Sequence, residues 1–240
     1  MLPRNEELSL LEMDETSRLP AMNSTIRRVF IAGATGYLGS RLAEELVRRG
    51  HTVSGLVRAG SENRLPTGCQ PVLGNALDRT TFEGKMAGAD TYIQLVGVAH
   101  PSPAKAAQFR EIDLKSCQES LAAAVATSIR HFVYVSVAHP APAMKAYIEV
   151  RTRCEEMIRE SRLPATILRP WYVLGPGHYW PYVLKPFYWM ARQIPPSRAG
   201  AKRLGLVTLP QMISALALSV ESPATGIRIL EVPEIASRPG

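Results

Sequence analysis

Three glycines spaced three residues apart are the positions through which this sequence could hold a phosphate group. Gly33, Gly36 and Gly39 follow the apolar run Val29–Ala32 and open the helical pattern Leu38–Arg49. Glycine permits a sharp turn and lets an anion come close to the main chain. The helix start adds N–H groups and the positive end of the helix dipole. This order of strand, turn and helix predicts a dinucleotide-binding site. The other predicted contacts in the turn are Thr35, Tyr37 and Leu38.

The end of the second predicted strand, Thr52–Val57, bears on which dinucleotide is bound. In NAD-binding sites of this kind, an acidic side chain near this point holds the ribose hydroxyls. This sequence has Arg58 instead, with Ser61 and Arg64 close behind it. A planar guanidinium suits a phosphate group, although Arg58 could also be an ordinary surface residue after a strand. We therefore expect NADP rather than NAD as the cofactor.

The order of the predicted elements explains how these residues come together. Strand and helix patterns alternate from Arg27 to about Leu168, and the strands are continuous apolar runs. Such runs are typical of a parallel sheet that is covered on both faces. The predicted fold is α/β, a doubly wound parallel sheet (Rossmann) with a small C-terminal cap. The predicted strands are Val29–Ala32, Thr52–Val57, Pro71–Leu73, Thr91–Val96, His131–Ser136 and Ala165–Leu168. The predicted helices are Leu38–Arg49, Arg79–Met86, Ala104–Ser128 and Lys145–Ser161.

The length of 240 residues is enough for one domain with a full core. We expect a flexible N-terminal extension over residues 1–25 and a single domain over residues 26–240. Residues 171–240 are predicted to contribute a small cap on the substrate side. The aromatic residues of this part could line an apolar pocket or pack as core: Trp171, Tyr172, Tyr179, Trp180 and Tyr182. Its predicted elements are Val183–Arg192 and Pro210–Glu221 as helices, with Leu204–Val207 and Ile227–Val232 as strands.

Composition and charge argue against several classes of protein. The net charge is +7, but the basic residues are scattered and do not alternate with aromatics, so we expect no nucleic-acid partner. No apolar run reaches the roughly 18 residues of a membrane span. Three separated cysteines and five histidines without ligand spacing predict no metal site and fit a reducing cytoplasm. We expect a cytoplasmic monomer or homodimer. The sequence does not identify its small-molecule substrate or protein partner.

A set of motifs in fixed order resembles the short-chain dehydrogenase/reductase superfamily. The resemblance is greatest to its atypical, NmrA-like and NAD(P)-binding epimerase-like members, and it spans Arg27 to about Ile235. The motifs before the centre of the chain are Gly33–Gly39, Val57-Arg58 and Gly74-Asn-Ala-Leu-Asp78. The later motifs are Val135-Ser136, Tyr147-Ile-Glu-Val-Arg151 with Glu155, and Leu168-Arg-Pro170 followed by Gly175-Pro-Gly177.

The resemblance implies further cofactor contacts. The family pattern Gly-Asp-x-x-Asp is similar to the segment that holds Asn75, Ala76 and Asp78, with Asn75 in place of the first acid. That match implies contacts near the adenine. Asp78 has a second interpretation, as the N-cap of the predicted helix Arg79–Met86. The remaining implied contacts are Val96, Gly97, Val98, Arg151 and Pro170.

The resemblance also implies a candidate catalytic group. Reductases of the superfamily use Tyr-x-x-x-Lys together with a Ser or Thr, and here the corresponding residues are Tyr147, Arg151 and Ser136. Residues four apart share one helix face, so Arg151 can approach Tyr147. Arginine supplies positive charge but does not release a proton at ordinary pH, so the lysine's proton relay is lost. Tyr147 could instead be an amphipathic-helix residue, and Ser136 a strand cap.

These residues leave three functions open. The first is an NADP-dependent oxidoreductase that reduces a carbonyl-type group on a small apolar substrate. The second is a non-catalytic NADP(H)-binding protein, since NmrA-like regulators and the Rossmann-type accessory subunit of respiratory complex I resemble this chain in losing the lysine. The third is a nucleotide-sugar epimerase or dehydratase, for which the C-terminal part is small.

Overall fold

A seven-stranded parallel sheet forms the centre of the structure. The computed structural model describes residues 25–140, 144–176 and 204–239. The strand order is β3-β2-β1-β4-β5-β6-β9, which confirms the predicted doubly wound α/β fold. The strands of this sheet are β1 (Arg28–Ala32), β2 (Thr52–Val57), β3 (Cys69–Leu73), β4 (Thr91–Gln94), β5 (His131–Val135), β6 (Ala165–Arg169) and β9 (Ile227–Glu231). A separate parallel pair consists of β7 (Tyr172–Leu174) and β8 (Leu206–Thr208). The α-helices are α1 (Tyr37–Arg48), α2 (Ala106–Gln108), α3 (Lys115–Ala126), α4 (Lys145–Glu160), α5 (Leu209–Glu221) and α6 (Val232–Ala236).

Separate apolar layers cover the two faces of the sheet. On one face, α1 packs against α5 and buries Leu42 and Leu46 completely. On the other face, Phe30, Tyr92 and Phe132 stack across three neighbouring strands, with ring centroids 5.4 Å apart at each step. Because both faces are buried, the strands need apolar residues at successive positions, which is the pattern in the sequence.

The order in which strands are added to the sheet reverses at β1. From β1 the chain runs to β2 and β3 on one side, and it then returns to place β4 on the other side of β1. Parallel sheets of this kind open a crevice at the carboxyl ends of the two strands that flank such a reversal. The glycine turn lies at this point, directly after β1, because Gly33 follows Ala32.

Two of the glycines are required by geometry. Gly33 has a φ of 89°, and a Cβ there would lie 2.9 Å from the carbonyl carbon of Leu95. A Cβ at Gly39 would overlap the carbonyl oxygen of Gly33, so α1 can start against the turn only because position 39 has no side chain. These contacts bring the helix start to the end of β1 and β4.

Two of the predicted helices have a different structure. The predicted helix Arg79–Met86 consists of two 3-10 turns, Arg79–Thr81 and Glu83–Lys85. Threonine and glycine are weak helix formers, and the buried Phe82 and Met86 hold this segment against the sheet. The other differences at element ends are mostly one or two residues, which is the usual uncertainty of a boundary.

The predicted helix Ala104–Ser128 contains a π-helical segment, Phe109–Leu114, between α2 and α3. The wider turn places Phe109 and Asp113 inward, and both are buried. Such segments are frequent at functional sites. The residues of this segment have ordinary helical composition, so the sequence pattern predicts a continuous helix.

The described parts of residues 171–240 continue the central sheet and one of its covering layers. β9 pairs with β6 as the last strand of the main sheet, and α5 covers one face of that sheet. These parts extend the central sheet and its helical layer, and the small cap stays a prediction. Residues 177–203, which include the predicted helix Val183–Arg192, lie outside the described residues, as do Tyr179, Trp180 and Tyr182.

A buried histidine joins β5 to β6 at the amino-terminal side of the sheet. The Nε2 atom of His131 lies 2.9 Å from the hydroxyl oxygen of Thr166, and Nδ1 has no partner among the described residues. Burial, together with Arg228 and Arg27, lowers the pKa of His131 from 6.5 to about 4. The folded state therefore favours the neutral imidazole.

We expect Gly39→Ala to lower the free energy of unfolding by about 1–3 kcal/mol, because the added methyl group must displace the glycine turn. Gly84→Ala is the matched control, since a Cβ at Gly84 meets nothing within 4 Å. Chemical denaturation of both variants measures the difference. Equal stability of the two variants would contradict the packing argument.

We expect the fold to lose stability as the pH falls from about 6.5 to about 4, because the unfolded chain takes up a proton that buried His131 refuses. The full loss from this group is about 3 kcal/mol. His131→Gln should flatten this part of the stability profile, whereas the same change at exposed His100 should leave it in place. Denaturation midpoints across this pH range provide the measurement, and an unchanged slope in His131→Gln would refute the assignment.

Candidate functional site

The turn between β1 and α1 presents the start of a helix to the crevice. Gly36 is the N-cap of α1, and its N–H donates to the carbonyl oxygen of Gly33 at 3.0 Å. It has no side chain to accept from the first helical N–H groups, and the first turn, Tyr37, Leu38 and Gly39, carries no acid. The positive end of the helix dipole therefore faces the crevice without a neutralising group of its own.

A cavity of about 390 Å³ lies beside this turn. It unites eight residues that the sequence predicts as cofactor contacts: Gly33, Thr35, Gly36, Arg58, Asn75, Ala76, Val96 and Gly97. The lining also contains Ser61, together with residues that the sequence analysis did not name as cofactor contacts: Leu56, Val57, Gly74, Leu77, Leu95 and Ile112. Most of these residues adjoin predicted ones at strand ends, so their position along the strands could have identified them. Ile112 is different, because it reaches the cavity from the π-helical segment.

The arginine at the end of β2 lies at the mouth of the cavity. Arg58 is exposed, and it is the charged residue among the described residues of the lining. The guanidinium of Arg64 approaches the carbonyl oxygen of Thr35 at 3.5 Å, so a second cation lies close to the glycine turn. No acid lines this cavity within the described part of the chain. The arrangement suits an anionic ligand.

The residues present fit a dinucleotide. The uncapped helix start beside the cavity and the basic residue in its lining suit the phosphates of such a ligand. Arg58 and the turn would hold its phosphates, and the end of β4 would form the wall beside it.

Asp78 caps a 3-10 turn outside the cavity. Its Oδ1 atom accepts the backbone N–H of Thr80 at 3.1 Å and the Thr80 hydroxyl at 2.7 Å, and the residue is exposed. Asp78 therefore acts as an N-cap, which is the second interpretation that the sequence allowed. Pro170 is buried after β6, and its carbonyl oxygen accepts the N–H of Ala138 at 3.0 Å. Neither residue lines the cavity.

Arg151 is buried and paired rather than free in the cavity. Its Nη2 atom lies 2.5 Å from Oδ1 of Asp113. Its Nη1 atom donates to the Tyr134 hydroxyl at 3.1 Å and to the carbonyl oxygen of Val135 at 2.9 Å. Burial opposes the charged guanidinium, but Tyr134, Tyr147 and Asp113 outweigh it and raise the pKa of Arg151. The side chain therefore stays a cation.

Tyr147 lies against this cation, as the four-residue spacing predicts. The guanidinium carbon of Arg151 is 5.0 Å from the centre of the Tyr147 ring. The ring of Phe109 meets the Tyr147 ring edge-on, with centroids 5.0 Å apart. Two contacts thus fix the plane of the Tyr147 ring, which is partly buried.

Ser136 belongs to a different network. Its hydroxyl donates to Oε1 of the buried Glu155 at 2.6 Å. Glu155 also pairs with Arg169, and with Arg159 at 3.0 Å. Burial alone would raise the pKa of the Glu155 carboxyl. The hydrogen bonds from Arg169 and Ser136 lower it by more than burial raises it, so the net shift of the pKa is downward. The structure therefore brings Tyr147 and Arg151 together and directs Ser136 to a structural carboxylate.

Two further findings concern partners. Among the described residues, no group of three or more His, Cys, Asp and Glu is placed to hold a metal ion. None of the described helices has the length and apolar character needed to cross a membrane.

Comparison with known proteins gives one family and several relatives. A family model described as NAD(P)H-binding matches residues 33–177. A Stigmatella aurantiaca protein named 4-hydroxy-2-methyl-3-oxo-4-farnesyl-3,4-dihydroquinoline-1-oxide ketoreductase is 28% identical over 170 residues, which are 62% of this chain and 51% of that protein. The chain thus spans about half the length of this curated relative.

A second relative and a solved structure extend the comparison. A Streptomyces sp protein named 3-diazoavenalumate denitrifying reductase is 27% identical over 226 residues, covering 83% of this chain and 74% of that protein. The crystal structure of an Agrobacterium tumefaciens short-chain dehydrogenase/reductase superfamily protein with bound NAD has a TM-score of 0.63 and 18% identity. The match covers 88% of this chain and 82% of that one.

The likeness to the solved structure concerns the fold, and the family model concerns the sequence of the site itself. The matched residues include the glycine turn, the strand ends that line the cavity, and the helix that carries Tyr147 and Arg151. The chain therefore belongs to the NAD(P)H-binding family, and its Rossmann fold is similar to that of the Agrobacterium tumefaciens short-chain dehydrogenase/reductase superfamily protein.

Proposed function

We propose that this protein binds NADP(H) and acts as an oxidoreductase on a carbonyl-type group of a small apolar substrate. The observation that carries the proposal is the cavity at the strand reversal, with the glycine turn on one side and Arg58 at its mouth. The names of the two relatives, a ketoreductase and a denitrifying reductase, support reduction as the class of reaction.

The choice of NADP follows from the charges at the end of β2. Arg58 stands where an NAD site needs an acid, and Arg64 approaches the glycine turn behind it. A 2′-phosphate on the adenosine ribose would interact with both guanidinium groups. The hydroxyl of Ser61, which also lines the cavity, adds a neutral donor at the same end.

Tyr147 is the proposed proton donor. The glycine turn and the end of β4 would hold the reduced cofactor, whose chemistry when bound would be hydride transfer to the carbonyl carbon of the substrate. The Tyr147 hydroxyl then gives its proton to the carbonyl oxygen, and water returns a proton to the phenolate. Arg151 stabilises the phenolate through its charge, 5.0 Å from the ring centre, and Phe109 holds the plane of the ring.

A second candidate function is a non-catalytic NADP(H)-binding protein. It is favoured by the contacts of Arg151 and Ser136. Asp113, Tyr134 and Val135 occupy the terminal nitrogens of the guanidinium, and the Ser136 hydroxyl is bonded to Glu155. Tyr147 would then lack two groups that the resemblance to reductases of the superfamily implies. These are the lysine that relays a proton and the hydroxyl that polarises the carbonyl.

We expect wild-type protein to bind NADPH more tightly than NADH, and Arg58→Ala to weaken NADPH binding by about tenfold or more, because a charge-assisted contact to phosphate is lost. NADH binding should change little in this variant. Titration calorimetry or quenching of protein fluorescence measures all four affinities.

Arg130→Ala is the control for this experiment. It removes the same charge from an exposed position at the amino-terminal end of the sheet, where Arg130 pairs with Asp90 at 3.8 Å. Equal affinity of the wild-type protein for both cofactors would overturn the assignment of NADP.

We expect Tyr147→Phe to reduce NADPH-dependent turnover of an active carbonyl compound by about a hundredfold or more, while NADPH binding stays close to wild type. The loss has a chemical cause, since phenylalanine keeps the ring contacts but has no proton to donate. A panel of ketones and aldehydes, followed by NADPH absorbance, is the assay.

Tyr92→Phe serves as the matched control, because its hydroxyl bonds to Ser120 within the core, whereas the Tyr147 ring packs against Arg151. Turnover that persists in Tyr147→Phe would remove Tyr147 from the mechanism. NADPH binding without turnover on any compound in the wild-type protein would favour the non-catalytic function.

A further inference from the structure

The π-helical segment between α2 and α3 sends three of its side chains to the candidate site. Phe109 contacts the ring of Tyr147, Ile112 lines the cavity, and Asp113 pairs with Arg151. A regular helix repeats every 3.6 residues, so a wider turn changes which side chains point the same way. The irregular turn is therefore the part of this helical region from which these three contacts to the site are made.

Asp113 uses both carboxylate oxygens in these contacts. Oδ1 lies 2.5 Å from Nη2 of Arg151, and Oδ2 accepts the backbone N–H of Val98 at 2.9 Å. The residue is 1% exposed, so the carboxylate has these partners in place of water. One side chain thus joins the π-helical segment, α4 and the chain that follows β4.

The wall of the cavity rests directly on this ion pair. Gly97 lines the cavity, and a Cβ built there would lie 2.6 Å from Nη2 of Arg151 and 3.0 Å from Oδ1 of Asp113. The main chain at Gly97 therefore packs against the two charged groups themselves. Any movement of the pair would move this wall.

We propose that Asp113 is a positioning residue for the part of the cofactor that lies beside the end of β4. Its carboxylate holds Val98 through the main chain and holds Arg151 through the ion pair, so that the wall at Gly97 keeps one position. The inference rests on the proposed binding of NADP(H), and it assigns Asp113 no contact with the cofactor.

The position of the pair predicts a selective effect. Dinucleotides lie across the strand reversal, with one half on each side. Arg58 lies at the β2 side, whereas Gly97 follows β4 on the other side of β1. Loss of the Asp113 charge should therefore weaken a ligand that spans both halves and spare a ligand that occupies only the adenosine half.

The test compares NADPH with adenosine 2′,5′-bisphosphate, which represents only the adenosine half. Asp113→Asn keeps the shape of the side chain and an acceptor for Val98, but it removes the charge that pairs with Arg151. We expect about tenfold weaker NADPH binding in this variant and unchanged binding of the bisphosphate. Arg58→Ala should weaken both ligands.

Gly97→Ala gives an independent route to the same effect, because its methyl group displaces the pair from the cavity side. It should also weaken NADPH selectively. Asp90→Asn is the matched control, since Asp90 likewise accepts a backbone N–H, from Arg28 at 2.9 Å, and faces Arg130, but at the opposite end of the sheet. Asp90→Asn should leave both affinities unchanged.

The outcomes separate the two levels of the proposal. If Asp113→Asn binds NADPH with wild-type affinity, the positioning role is overturned. An equal loss of affinity for both ligands also overturns it, because general damage to the fold would weaken both ligands alike. Wild-type protein that binds neither ligand overturns the proposed function and, with it, this inference. Selective loss of NADPH in Asp113→Asn and Gly97→Ala supports it.

Discussion

The buried ion pair between Arg151 and Asp113 is the interaction on which the candidate site depends. Removing two charges from water is costly, and the attraction between them offsets that cost only when hydrogen bonds satisfy the remaining groups. Here Val98 donates to the carboxylate, while Tyr134 and Val135 accept from the guanidinium. The Nε atom of Arg151 is buried without a partner among the described residues, so the satisfaction is incomplete. The pair therefore fixes geometry more than it adds stability.

That geometry links the glycine turn to the helix that carries Tyr147. Gly33 packs against the main chain at Leu95. Three residues further along, the backbone N–H of Val98 donates to Asp113, which holds this segment in place. Arg151 continues the connection to the ring of Tyr147. A change at Asp113 would thus reach both the wall of the cavity and the candidate proton donor.

The sequence predicted the parts of this arrangement that depend on neighbouring residues. The glycine spacing required the turn, and four-residue spacing placed Tyr147 beside Arg151. It did not predict the partner of Arg151, because Asp113 is 38 residues away and reaches it from a π-helical turn with no pattern of its own. Ser136 was at the predicted strand end, but a hydroxyl does not reveal its acceptor, and the buried Glu155 takes it.

The pairing changes what an arginine at position 151 can contribute. By resemblance, a lysine there would supply charge beside the tyrosine, contact the cofactor ribose and relay a proton. Arg151 retains the first of these, because its charge lies under the ring of Tyr147. Asp113, Tyr134 and Val135 take three of its four terminal N–H groups, so fewer donors remain for a ribose contact. A reductase built this way must therefore return the proton to Tyr147 from water, which makes solvent access to the Tyr147 hydroxyl a condition of turnover.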